Sequence, residues 1–331
     1  MPTQPKPPMP PMPPSEATKI KDAIATVITP SGTAKTTTAP SGHKFKMVFK
    51  KPDLDVGHRV LIYGKPGCGK TTMMLKGLPR PLVAFDFDSS INVLLAKPQE
   101  ESGIDPNDVF LADVQRDSEG RLDYGAFLSI LRDATALLPD GKTRAISEEW
   151  NGIRSVLIDT GTFAERAIEP YLFEHPETYP TGNPKKQKAT SLADYSFRGG
   201  NIYKNDLYQL MLDYLGNLAL CHVNVAIVYH TTVGKVPNLA NADGIALEYQ
   251  PDSWAAGKTS LGETAMRWCD HVGAIKDNTI SDGKDGKLQR IVGRVIQFAA
   301  DGEYYGKSRT LYGDAATVPL DEFNLSMLGI K

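Results

Sequence analysis

Eight consecutive residues, Gly64-Lys65-Pro66-Gly67-Cys68-Gly69-Lys70-Thr71, fit the pattern G-x-x-x-x-G-K-S/T at every fixed position. Glycines at these places let backbone N–H groups converge on one point with no Cβ in the way. An ammonium and a hydroxyl closing such a loop are the groups that a polyphosphate and its divalent cation need. Lys70 is expected on the β- and γ-phosphates and the Thr71 hydroxyl on magnesium. An apolar run, His58 to Tyr63, leads in, and Thr72-Met-Met-Leu75 begins a helix. That helix N-terminus adds partial positive charge at the same point. The loop therefore predicts a bound nucleoside triphosphate, with Gly64 to Thr72 as its binding residues.

A second run, Ser155-Val-Leu-Ile-Asp159, is a buried strand ending in an acid. In a parallel sheet that delivers a carboxylate to the C-terminal edge, where ligands bind. Asp159 joins Thr71 as the expected magnesium-holding pair. Thr160, not a glutamate, follows it, so a water-activating base must come from elsewhere. Leu82-Val-Ala-Phe-Asp86-Phe-Asp88 offers two acids that point the same way from one strand. Asp88, further out, is the better placed to orient water, with Asp86 the alternative. Val223 to Tyr229 is another apolar strand, and His230 ends it as a hydrogen-bond donor to the γ-phosphate.

The phosphate loop, VAFDFD, VLIDT and IVYHTT, in that order, resemble the cores of RecA-like phosphate-loop ATPases. The likeness covers about residues 44–320, and is greatest to phage-encoded members, some of which act in recombination or single-strand annealing. It implies an α/β fold: a mostly parallel central sheet, helices on both faces and a C-terminal antiparallel extension. It implies ATP and Mg²⁺ as ligands, and a ring or filament of identical subunits. Asp88 stands where the family has its water-activating acid, usually Glu, and His230 where it commonly has Gln. Tyr304-Tyr-Gly-Lys307-Ser-Arg309 resembles the basic strand that recombinases insert into a neighbour's site, which makes Lys307 and Arg309 candidate trans-acting fingers. The family binds DNA through loops after core strands. Tyr179 to Asn205 mixes Lys185, Lys186, Lys188, Arg198 and Lys204 with Tyr179, Tyr195, Phe197 and Tyr203, a composition suited to single-stranded DNA. Thr231 to Thr259, with Trp254, is the second candidate loop.

Other readings compete. Lys65 precedes Lys70 by five residues, as in deviant-Walker partition ATPases, but Pro66 replaces a glycine there. About ten residues between Thr71 and Leu82 also leave no room for the long helix such proteins need. ATP as a non-catalytic switch for a DNA-binding scaffold is the third reading. A small-molecule kinase lacks a visible arginine-rich lid.

The elements around these residues follow from periodicity. Strands are expected at Lys46–Phe49, Arg59–Tyr63, Leu82–Phe87, Ser155–Asp159, Val223–Tyr229, His271–Lys276, Arg290–Phe298 and near Tyr304–Arg309. Helical faces are read in Phe127, Leu131, Ala134, Leu138 and in Tyr203, Leu207, Leu210, Tyr214, Leu218. Residues 1–42 form a proline-rich, lysine-bearing tail, expected to be disordered, and 43–331 one ATPase domain. Lys and Arg total 37 against 39 Asp and Glu, so a nucleic-acid partner must be met by a local patch. Cys68, Cys221 and Cys269 lack metal-ligand spacing and read as free thiols of a reducing compartment. No signal sequence or membrane span is read, so the expected location is the cytoplasm, the host's if the chain is phage-encoded.

Overall fold

The computed structural model describes residues 35–38, 44–47, 56–116, 120, 122–141, 143–181, 188–195, 199–237, 245–256, 259–281, 289–301 and 304–330. The proline-rich stretch 1–34 lies outside the described residues. The chain divides into two units, 1–53 with 137–143, and 54–136 with 144–331. In the first, Lys35–Thr38 pairs antiparallel with Lys44–Met47. The strand expected at Lys46–Phe49 is thus half of a separate hairpin.

The second unit is built on one sheet of nine strands. These are β1 (Arg59–Gly64), β2 (Leu82–Asp86), β3 (Val109–Leu111), β4 (Ser155–Asp159), β5 (Asn224–Pro237), β6 (Ile245–Pro251), β7 (His271–Ser281), β8 (Gln289–Gln297) and β9 (Thr317–Pro319). The order across the sheet is β9-β8-β7-β1-β5-β4-β2-β3, with β6 paired to β5. From β7 to β3 every neighbour is parallel. The β8, β9 and β6 pairings are antiparallel. The mostly parallel sheet with a C-terminal antiparallel extension is the fold the motifs implied.

Side-chain alternation explains why both faces are covered. In β1, Leu61 and Tyr63 enter one apolar layer while Val60 and Ile62 enter the other; in β4, Val156 and Ile158 oppose Leu157. The first layer is closed by α3 (Tyr124–Asp133), α4 (Gly161–Glu174), α5 (Gly199–Leu220) and α6 (Leu261–Trp268). The second holds α1 (Lys70–Gly77), Ile91 of α2 (Ser90–Leu95), and the C-terminal Leu325, Leu328 and Ile330.

Four local readings change. Helix α3, capped by the Asp123 carboxylate on the Gly125 and Ala126 N–H groups, ends at Asp133, so Leu138 lies beyond it. Helix α5 buries Leu207, Tyr208, Met211, Leu212, Leu215 and Leu218, a stripe rotated from the predicted one. The helix is apolar on most sides, which leaves periodicity little to choose between. Thr231–Pro237 and Ile245–Pro251 are strand rather than the expected loop: β5 runs on to Pro237 and β6 pairs antiparallel with it, Thr231 opposite Pro251. In the stretch Tyr304–Arg309, an expected strand, only two bridges form among the described residues, Tyr304 with Tyr249 and Lys307 with Val272.

Candidate active site

Register brings the expected groups to one edge. Gly64 at the end of β1 lies opposite His230 of β5, and Asp159 of β4 lies opposite Asp86 of β2. The loop leaving β1 turns through Gly69, whose φ of 99° is open to glycine and costly for any side chain. Lys70 and Thr71 then begin α1. The Lys70 ammonium is buried and donates to the carbonyls of Gly64 and Lys65 at 2.9 and 2.8 Å, with Cys68 Sγ 3.8 Å away. Burial pulls its pKa below the usual lysine value.

Asp159 is fully buried. Its carboxylate accepts from the Thr71 hydroxyl at 3.1 and 2.9 Å and from the Ser90 hydroxyl at 3.0 Å. Oxygens of Asp86, Asp88 and Asp159 lie within 4.8 Å of one another. Burial first, and the neighbouring Asp88 charge second, push the Asp159 pKa up to about 7. A hard cation prefers oxygen donors like those of Asp159 and Thr71. The pair fits a magnesium ion.

The two remaining acids differ. Both oxygens of Asp86 are occupied, accepting from the Ser90 and Ile91 N–H groups at 3.0 Å. Among the described residues, Asp88 accepts from the Ser90 N–H through Oδ1 alone. Asp86 thus anchors the start of α2, while Asp88 keeps one oxygen for another partner.

His230 is half-buried, and burial, then the nearby Lys70 charge, lower its pKa. Its backbone N–H donates to Thr162 Oγ1 at 3.2 Å, and its ring meets Phe163 edge-on at 6.0 Å. Its Nδ1 is buried with no hydrogen-bond partner among the described residues. A neutral imidazole near Lys70 and Asp88 can offer one N–H donor, as expected of it.

Ser90 and Arg116 were not legible as site residues. Ser90 joins Asp159 to the Asp86–Asp88 turn through its hydroxyl and N–H. Arg116 braces the same turn, donating to the Asp86 carbonyl and the Ser89 hydroxyl, each at 3.3 Å. Acids just before a helix start are a capping signal, and they mark Ser90 only as the first residue of α2, whose N–H they receive. Arg116 carries no local signal, because the chain folds it back from beyond β3.

Lys307 and Arg309 are not brought to this edge. The Lys307 ammonium donates to the Arg267 carbonyl at 3.0 Å, and Arg309 pairs with Asp270 at 2.9 Å. Asp270 also holds Arg59, the first residue of β1, at 2.9 and 3.0 Å. That is the opposite edge of the sheet, roughly 16 Å from Gly64 along β1 at the usual strand rise. Within one chain the two basic residues are structural.

The basic and aromatic segment is also corrected in part. Tyr195 is buried, Tyr203 packs against it with ring centroids 5.5 Å apart, and Tyr179 packs on Tyr203 at 5.2 Å. Lys204 is buried, ion-paired with Glu169 at 2.6 Å and set over the Trp254 ring. These side chains belong to the core around α4 and α5. Lys188 is exposed, while Lys185, Lys186, Phe197 and Arg198 lie outside the described residues.

A glycine-turned phosphate loop, its lysine and threonine, and a buried acid two strands away define a phosphate-loop nucleoside triphosphatase. The chain belongs to the AAA domain family, whose model AAA_24 matches residues 57–310. No curated protein matches the sequence. Among solved structures, a KaiC-like protein from the hyperthermophilic archaeon Pyrococcus horikoshii OT3 is 12% identical, with 80% of this chain and 85% of that one covered at a TM-score of 0.40. No helix among the described residues is long and apolar enough to cross a membrane.

Proposed function

We propose that this AAA-type ATPase binds Mg-ATP at the Gly64–Thr72 loop and hydrolyses it, with Asp88 orienting the attacking water. The observation that carries the reading is the Asp86–Asp88–Asp159 cluster beside the Thr71 hydroxyl. Asp159 and Thr71 would hold magnesium, which when bound neutralises charge on the β- and γ-phosphates. Lys70 exchanges two carbonyl partners for phosphate oxygens, and His230 offers an N–H to the γ-phosphate. Asp88 takes the proton of the attacking water on its uncommitted oxygen.

The finer reading is action on single-stranded DNA in recombination or annealing, as a homo-oligomer. Its support is the order of motifs and the basic run Lys185-Lys186-Gln187-Lys188. The reading in which ATP is a slow switch is favoured by one feature. Asp88 is a short side chain with one oxygen already engaged by Ser90. Phosphate release, measured alone and with single-stranded DNA, duplex DNA or RNA, tests both. Stimulation by single-stranded DNA supports the first reading; ATP binding with no turnover under any condition supports the switch.

A further inference from the structure

The chain continues past the family match, which ends at residue 310. Its last stretch lies along the phosphate-loop helix as a strap. Ala316, Leu325, Leu328 and Ile330 are buried in the same apolar layer as Met74 and Leu75 of α1. Close approaches mark its path. A Cβ built on Gly69 would sit 3.6 Å from Leu320 Cδ2, and one on Gly77 3.0 Å from Leu325 Cδ1. The strap therefore touches the phosphate loop at one point and the far end of α1 at another.

Between the strap, α1 and the β7–β8 pair lies a cleft of about 960 Å³. That volume is in the range of sites that take a nucleotide-sized ligand. Gly69, Thr72 and Met73 line its loop end, Leu320 to Asn324 one wall, and Asp277 and Arg294 another part of its lining. The chemistry of the cleft differs from that of the loop. Beyond the loop, Asp277, Asp321 and Glu322 outnumber Lys76 and Arg294. Arg294 is itself drawn to Asp277 at 3.8 Å, and Lys65 reaches the same acid at 3.4 Å. Such a lining disfavours further phosphate groups. It suits an uncharged moiety with hydroxyl and amine donors and a flat apolar face. Met73, Leu320 and Phe323 supply apolar contact, and Phe323 is backed by Phe298 with ring centroids 5.4 Å apart.

We propose that the strap Leu320–Asn324 is the nucleoside-recognition wall of this ATPase. Leu320 and Phe323 face the base, and Asp321 accepts from ribose hydroxyls or a base amino group. The proposal rests on the loop being the triphosphate site. It places the choice of nucleoside in a segment outside the family match, while the phosphates are held by the loop within it.

The test separates the two halves of the ligand. Binding of Mg-ATP and of Mg-tripolyphosphate is measured by calorimetry on the full chain. The double variant Leu320→Ala with Asp321→Ala should weaken ATP by about tenfold or more, and leave tripolyphosphate unchanged. Asp321→Asn alone, at an exposed side chain where folding is not at issue, should also weaken ATP selectively. Equal loss of both ligands, or unchanged ATP affinity in both variants, overturns the proposal. Lys70→Ala must weaken both ligands. If the wild-type chain binds neither, the triphosphate reading itself falls.

Discussion

The Thr71 hydroxyl donates to both carboxylate oxygens of Asp159, at 2.9 and 3.1 Å, across 88 residues of chain. One residue belongs to a local motif and the other to a strand two places away in the sheet, with β5 between them. Their contact joins two separate sequence signals in one geometry that fits a divalent cation.

Lys70 is the loop's buried cation. Lys70→Ala should lower Mg-ATP affinity by about tenfold or more, or abolish turnover. With circular dichroism used to check that the variant folds, unchanged affinity with unchanged turnover would remove the loop from the site.

Asp88→Asn should leave ATP bound and slow hydrolysis by about 10²- to 10⁴-fold, the usual loss for a general base. Asp86→Asn should act differently, because its oxygens hold the Ser90 and Ile91 N–H groups. An amide still accepts through one oxygen, so the expected effect is lower stability with a smaller loss of rate. Thermal melts and single-turnover rates on both variants separate the roles; full activity in Asp88→Asn excludes it as the base.

The pKa of Asp159, about 7, lies above the usual carboxylate value. The folded chain then holds a proton that the unfolded chain has lost, so stability falls as pH rises from about 4 to about 7. Glu165, raised to about 8 by burial, has the same sign and extends the fall. In nucleotide-free protein the denaturation midpoint should drop over this range. Asp159→Asn should make the slope shallower up to about pH 7 and leave the part due to Glu165, which runs on to about pH 8. A wild-type profile flat from pH 4 to 8 would contradict the burial argument.

How far these groups could be read in advance depends on how local they are. Gly64 to Thr71 and the strand ending at Asp159 carry their chemistry in consecutive residues, so composition and spacing were enough. Ser90 and Arg116 act through contacts that exist only once β2, β3 and β4 are aligned. The aromatic residues Tyr179, Tyr195 and Tyr203 look the same in sequence whether they stack on a ligand or on one another. In the fold Tyr195 is buried, and half-buried Tyr179 and Tyr203 pack with it in a row of rings beside α4. Lys204 misleads for the same reason: its charge is answered by Glu169 and Trp254, which lie far away in sequence.

A buried chain of groups behind the site gives a further test. Tyr208 and Tyr229 hydroxyls are 2.5 Å apart, and Tyr229 donates to Glu165 at 2.7 Å. The Trp254 backbone N–H donates to the other Glu165 oxygen at 2.8 Å. Tyr229→Phe deprives two buried groups of a partner, which should cost about 1–3 kcal/mol. Combined with Glu165→Gln, the loss should be less than additive, since both changes act on one hydrogen bond. Additive losses in denaturant titrations would show that the contact is not energetically coupled.

The last prediction concerns Lys307 and Arg309, which the fold commits to the edge opposite the phosphate loop. Arg309→Ala removes one of two cations from Asp270, while Arg59 keeps its paired hydrogen bonds. Arg309 is largely exposed, so solvent screening holds the expected stability loss to about 1 kcal/mol or less. If each subunit hydrolyses ATP with its own residues, Lys307→Ala with Arg309→Ala should retain turnover per folded molecule. If instead a neighbour's phosphate loop docks against this edge, the double variant should bind ATP yet fail to hydrolyse it. Mixing it with Lys70→Ala then decides the matter. Some mixed interfaces join an intact loop to intact basic residues, and partial activity returns only if the two sites lie across an interface. A mixture that stays inactive although the subunits co-assemble leaves Lys307 and Arg309 with their structural role alone.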